Sequence, residues 1–209
     1  MSSFLPTVAI GIVSFIATNI DDIILLALFF SQVGHGLRNR DVVVGQYLGF
    51  IAILVVSLLG LIAGVVLPHQ WTSLLGLVPI ALGVRAMWDW STLPEETGPD
   101  SPVLKQAKPR RGNPLTPFVS TGSYQVAAIT LANGGDNIGT YLPIFANRPP
   151  QVGTLLVVYL LLTGVWCYLG SRLVLWTPVA TVLTRYGRYM TPLVFIAIGL
   201  AILWEGRAK

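Results

Sequence analysis

Two short stretches hold the polar chemistry of an otherwise apolar chain. The first reads Thr18-Asn19-Ile20-Asp21-Asp22, and the second reads Asn133-Gly134-Gly135-Asp136-Asn137, with Thr140 one turn further on. Carboxylates, side-chain amides and hydroxyls offer a ligand nothing but oxygen and, at Asp21, Asp22 and Asp136, negative charge. That donor set suits a cation. On an ideal helix at about 100° per residue, Asn133, Asp136, Asn137 and Thr140 fall within an arc of roughly 100°, whereas Thr18, Asn19, Asp21 and Asp22 spread over about 160°. The pair Gly134-Gly135 is a poor choice for a helix interior, so the chain is expected to unwind there and expose carbonyl oxygens, with a further kink at Pro143. Some of these residues have plainer uses: Asn19 and Asn133 suit helix-to-helix hydrogen bonding, Thr18 and Thr140 suit capping of their own helix carbonyls, and Asp21 suits a pocket rim or gate.

The elements that must position these groups follow from composition. With 54% hydrophobic and 11% charged residues and a mean hydropathy of +0.71, the chain is far from a soluble average. Six apolar runs are long enough to cross a bilayer, near 4–31, 42–67, 71–90, 117–146, 151–175 and 189–205. The first has no basic residues ahead of it, contains two acids and shows no cleavage site, so it reads as a permanent helix and not a secretory signal. Both polar stretches therefore lie inside spans, where a charge at the bilayer centre costs about 2.5 to 3.5 kcal/mol and irregular backbone must be buried in protein or line a cavity. The one candidate intramembrane counter-ion is Arg85, toward the end of the third run.

Basic residues orient the chain. The connections after runs one, three and five hold nine Lys and Arg against three on the other side, which places both termini outside the cytoplasm. The sequence pI of about 9.5 is thus a matter of topology and implies no nucleic-acid partner. Residues 91–116, rich in proline and mixed charge, read as a cytoplasmic linker between a first three-helix half, 1–90, and a second, 117–209. The halves echo each other: IALGVRAMWDW from Ile80 aligns with IAIGLAILWEG from Ile196, and Asn19 to Asp22 can be laid over Asn133 to Asp136. Three is an odd number of spans, so the second copy must be inverted, an all-α architecture of two inverted repeats with broken first helices and a site at the midplane. The lone Cys167 forms no internal disulfide or Cys-x-x-Cys clip and reads as packing. His35 and His69 fall in connections, and Trp71, Trp88, Trp90, Trp176 and Trp204 read as interfacial anchors. Gly45 with Gly49, and Gly60 with Gly64, either pack helices within one subunit or join a homodimer.

The stretches ATNIDDIILLALFF and ANGGDNIGTYLPIF resemble the two signatures of the cadmium resistance transporter family, CadD, within the LysE superfamily of small exporters. The resemblance covers essentially the whole chain. It implies a multi-pass protein of the bacterial cytoplasmic membrane, surrounded by lipid, that exports a divalent cation, with cadmium first and Zn, Mn, Ca or Mg as alternatives. It also implies that Asn19, Asp21, Asp22, Asn133, Asp136 and Asn137 hold the metal; the helix-face reading adds Thr18 and Thr140 as pocket residues. No resident cofactor is expected and no enzymatic activity. Soft metals usually favour thiolates, so an oxygen-only pocket makes the metal's identity less secure than the transport. With no nucleotide-binding motif in the chain, an ion gradient should drive transport, and proton antiport is the expected coupling. Two other readings use the same residues: export of an amino acid or organic cation, and an intramembrane aspartyl protease built on Asp22 and Asp136.

Overall fold

The computed structural model describes residues 4–34, 37–66, 69–92, 120–173 and 192–204. Apart from one isolated bridge between Val33 and Leu37, the regular structure among them is helical. In chain order the elements are α1 (Phe4–Asn19), α2 (Asp22–Ser31), α3 (Asn39–Ser57), α4 (Leu59–Val66), α5 (His69–Leu74), α6 (Leu77–Thr92), α7 (Thr121–Asn133), α8 (Gly135–Asn147) and α9 (Val152–Leu173), followed by α10 (Pro192–Trp204). A short 3-10 turn, Pro149–Gln151, leads into α9.

Two helical stretches are long and apolar enough to cross a membrane unaided, Asn39–Val66 and Pro149–Leu173, and the pair α1 and α2, bent by 60°, makes a third. Among the described residues this is fewer than the six expected spans: helix breaks divide the third and fourth runs, and the sixth is described only over Pro192–Trp204. The third apolar run divides into α5 and α6 at Leu75-Gly76, and the fourth divides into α7 and α8 at Gly134, leaving pieces shorter than the roughly 20 residues a bilayer needs. The expected linker begins later than drawn, since α6 continues to Thr92; the rest of 91–116 lies outside the described residues, as do His35, Trp176, Arg185 and Arg188.

Glycine decides how closely the helices approach. A Cβ at Gly45 would lie 2.6 Å from the Ser123 carbonyl, one at Gly49 would lie 2.7 Å from that of Ala127, and Cβ atoms at Gly60 and Gly64 would run into the carbonyls of Leu142 and Ala146. Contact positions rise together along both chains, so α3 and α4 run parallel to α7 and α8. All four glycines thus serve packing within one chain. Helix α1 runs parallel to α9 in the same way, with Gly11 against Leu155 and Val158 and Ser14 bonded to Tyr159. Helix α6 and the Gly76 turn before it run antiparallel to α10, where Gly76 meets Gly199 and Gly83 meets Pro192 and Ile196.

Asp41 fastens the starts of two parallel helices. Its Oδ2 accepts the Arg38 backbone N–H at 3.0 Å, and its Oδ1 accepts the Ser120 hydroxyl at 2.7 Å, while Ser120 caps α7 by accepting the Ser123 N–H at 3.1 Å. Between the helices lies a buried aromatic core of Phe15, Phe50, Tyr141, Phe145 and Tyr159. A second apolar cluster, of Leu26, Phe29, Leu37, Val42, Val126 and Cys167, uses the thiol as packing. Trp71, Trp88 and Trp204 are exposed, as interfacial anchors would be.

The glycine contacts make a specific prediction about stability. Gly64→Ala, whose new methyl would meet a backbone carbonyl that cannot rotate away, should cost about 1 to 3 kcal/mol and lower the thermal midpoint of the detergent-solubilised protein. Gly135→Ala, where the added carbon meets open space, should cause no loss. Equal midpoints for Gly64→Ala and wild type would contradict this packing.

Candidate metal centre

The first polar stretch sits where α1 gives way to α2. Thr18 donates its hydroxyl to the Ser14 carbonyl at 3.0 Å, and Asn19 donates its amide to the Phe15 carbonyl at 2.9 Å, so both side chains compete for carbonyls of the last helical turn. The helix stops at Asn19, two residues pass, and α2 starts at Asp22. Asp21 precedes it, and its carbonyl accepts the Ile24 N–H at 3.1 Å. The Asn19 backbone carbonyl, at the end of α1, accepts Trp166 Nε1–H from α9 at 2.7 Å.

The second stretch breaks the helix over a single residue. Only Gly134 separates α7 from α8; its φ of −78° and ψ of 20° lie outside the helical range, its N–H bonds the Leu131 carbonyl at 3.2 Å, and its carbonyl accepts the Ile138 N–H at 3.1 Å. Gly134 is glycine because the Ile53 side chain of α3 packs where a Cβ would sit, whereas Gly135 faces open space. Asp136 accepts the Asn137 backbone N–H on its own Oδ1 at 2.8 Å, a local capping bond at the start of α8 that a carboxylate makes well. Pro143 does lie inside α8, and Asn147 donates to its carbonyl at 2.9 Å.

Side chains join the two stretches directly. Asn133 Nδ2 donates to Asp22 Oδ1 at 2.6 Å, and Asn19 Nδ2 donates to Asn137 Oδ1 at 3.0 Å. Thr18, Asn19, Asp22, Asn137 and Thr140 are buried, Asp136 is half-buried, and Asp21 and Asn133 are exposed. The eight residues thus grade from a buried floor to an open rim, with Asp21 on the rim. Three buried polar atoms here have no hydrogen-bond partner among the described residues: Asp22 Oδ2, Asn137 Nδ2 and Thr140 Oγ1. Asp136 also feels the negative charges of Asp22 and Asp21. Asp22 is held by the Asn133 hydrogen bond and lies beside the like charge of Asp21.

This arrangement concentrates negative charge and leaves a carboxylate oxygen bare, which is what a cation relieves. Among the described residues no three His, Cys, Asp or Glu side chains gather into one group, so a metal bound here would draw on amide and hydroxyl oxygens as well as acids. Cys167 stands in the second apolar cluster instead.

Sequence reasoning missed the groups that hold these residues in place. Tyr141 is fully buried, and its hydroxyl lies 2.7 Å from Thr18 Oγ1 and 2.9 Å from Asn19 Nδ2. Its ring stacks on Tyr159 at 4.3 Å between centroids, and Phe15 meets Trp166 edge-on at 5.2 Å. The available signal was spacing: Tyr141 follows Asn137 by four residues and shares its helix face.

A family model described as a cadmium resistance transporter matches residues 15–208, a range that includes every residue of the centre. No curated protein and no solved structure matched the chain. Two interlocked polar stretches among apolar helices, together with a match over nearly the whole length, identify the chain as a member of the cadmium resistance transporter family.

Proposed function

We propose that the protein exports a divalent metal cation, cadmium first, across the bacterial cytoplasmic membrane through the centre between its two polar stretches. The observation that carries this is Asp22: the carboxylate is buried, Asn133 of the other half holds one oxygen, and the other oxygen is buried without a partner. An unpaired carboxylate in such surroundings is costly, and a divalent cation shared with Asp136 would offset that cost and the repulsion between the two acids. Asn19, Asn133, Asn137, Thr18 and Thr140 would complete the set of polar groups around the ion, with Asp21 receiving it at the rim.

Helix pairing supports two inverted repeats, the architecture also implied by the likeness to the LysE superfamily. An axis in the membrane plane that exchanges spans one and four, two and five, and three and six would carry the α1 and α9 contact onto the α7 and α3 contact. The same axis would carry the α6 and α10 contact onto itself. The observed pairs are parallel, parallel and antiparallel, as that exchange requires, and a helix break stands beside each polar stretch. In this reading each half presents one stretch, and rocking of the halves exposes the centre to one side and then the other. Both termini lie outside the cytoplasm, as the basic residues place them.

Bacteria expressing the protein should hold less total cadmium than control cells, and Asp22→Asn or Asp136→Asn at matched protein levels should abolish most of that depletion. Elemental analysis that also reads Zn, Mn, Ca and Mg would name the substrate, and variants that deplete cadmium like wild type would remove the centre from the transport path.

Proton antiport is the proposed coupling, because protons and metal compete for the same carboxylates and neither ion needs a nucleotide to drive it. Cadmium flux into proteoliposomes should follow an imposed pH gradient and reverse when that gradient is reversed. Flux indifferent to the gradient would rule this coupling out.

A further inference from the structure

The Asn19 side chain can be oriented from its partners alone. Nδ2 lies 2.9 Å from the Phe15 carbonyl, 2.8 Å from Thr18 Oγ1, 3.0 Å from Asn137 Oδ1 and 2.9 Å from the Tyr141 hydroxyl. A backbone carbonyl only accepts, so the end of the amide facing Phe15 must be the nitrogen, whose two N–H groups are shared among these four oxygens. When the Thr18 proton goes to a carbonyl of its own helix, Ser14 at 3.0 Å or Phe15 at 3.3 Å, Tyr141 is the donor across the 2.7 Å contact with Thr18. The Tyr141 oxygen is then free to accept from Asn19. The sequence of donors runs from Asn19 to Tyr141 to Thr18, and every member is buried.

We propose that Tyr141 is a positioning residue of this centre: its hydroxyl holds the Asn19 amide with nitrogen inward, turning the Asn19 oxygen toward the cation and anchoring Asn137 through the same nitrogen. The inference rests on the export reading above and divides the roles of the two asparagines. Asn137 spends its oxygen on Asn19 and is left with an unpartnered Nδ2, an N–H group that suits a carboxylate or a water and not a metal. Asn19 is thus the amide that presents oxygen, and Asn137 the one that braces it. Partners that orient a ligand from behind typically change metal affinity by about 10- to 100-fold when removed.

Tyr159 supplies an internal control, because it is equally buried, shares the same ring stack and bonds Ser14 at 2.9 Å without touching Asn19. The experiment is calorimetric titration of the purified full-length protein in detergent with CdCl2, with thermal midpoints measured alongside, for wild type, Tyr141→Phe, Tyr159→Phe and Asp22→Asn. Cadmium affinity should fall about 10-fold or more in Tyr141→Phe and stay at the wild-type value in Tyr159→Phe, even where the two midpoints drop together. Wild-type affinity in Tyr141→Phe, or equal weakening in both tyrosine variants, would overturn the positioning role while leaving the centre intact if Asp22→Asn no longer binds. Failure of wild type to bind cadmium, or binding by Asp22→Asn at the wild-type level, would overturn the export reading and this inference with it. Should Tyr141→Phe not fold, Thr18→Val, which removes the acceptor for the Tyr141 proton, is the substitute and should weaken binding in the same direction.

Discussion

A carboxylate among apolar helices must find hydrogen-bond donors, a counter-charge or a proton, and Asp22 finds only part of this among the described residues. Asn133 donates to one oxygen, and the other remains buried and bare. Much of the surrounding structure can be understood as a means of keeping it so. Asn133 belongs to the second half of the chain, so the bond that partly satisfies Asp22 is also a bond between halves. The amide pair Asn19 and Asn137 adds a second link across the same junction, beside the first. Removing the acid would relieve the strain of an unpaired charge, but it would also remove the reason for the two halves to meet at this level.

Holding two polar stretches together inside a membrane requires the helices that carry them to come close, and this is the work of the glycines. Gly45, Gly49, Gly60 and Gly64 let α3 and α4 lie almost backbone to backbone against α7 and α8. That close approach brings the Ile53 side chain against Gly134 at the second break. On the other side, α9 contributes Trp166, which takes up the Asn19 carbonyl at the end of α1. The aromatic stack beneath, from Phe15 through Tyr141 to Tyr159, gives the floor rigidity that a group of hydroxyls and amides alone would lack. Dispersion between backbones replaces the hydrophobic drive that is missing between helices in lipid.

Much of this was legible in the sequence, and what was not has physical reasons. Polar residues inside apolar runs are conspicuous because the medium tolerates so few of them, and the structure does bond Asp22 to Asn133 and Asn19 to Asn137. The packing role of Cys167 was also readable. The helix breaks at Gly134 as the glycine pair suggests, but a glycine that also serves close approach looks the same in a sequence; only the position of Ile53 reveals that second duty. Tyr141, Tyr159 and Trp166 were missed because aromatic residues in an apolar helix carry no local mark of a hydrogen-bonding duty. The continuity of the spans was not readable, since an apolar run of 20 residues does not reveal the single turn, at Leu75-Gly76 or Gly134, that divides it.

The proposed centre, oxygen-only and assembled from both polar stretches, would take a metal better known for binding sulfur. Cadmium can accept oxygen ligands, and an exporter benefits from donors that release the ion, whereas a set of thiolates would hold it. X-ray absorption at the cadmium edge of purified, metal-loaded protein tests this most directly. A first shell of oxygen scatterers alone, lost in Asp22→Asn, is the expected result; a sulfur shell, which could come only from thiol or thioether side chains outside the proposed ligand set, would contradict it.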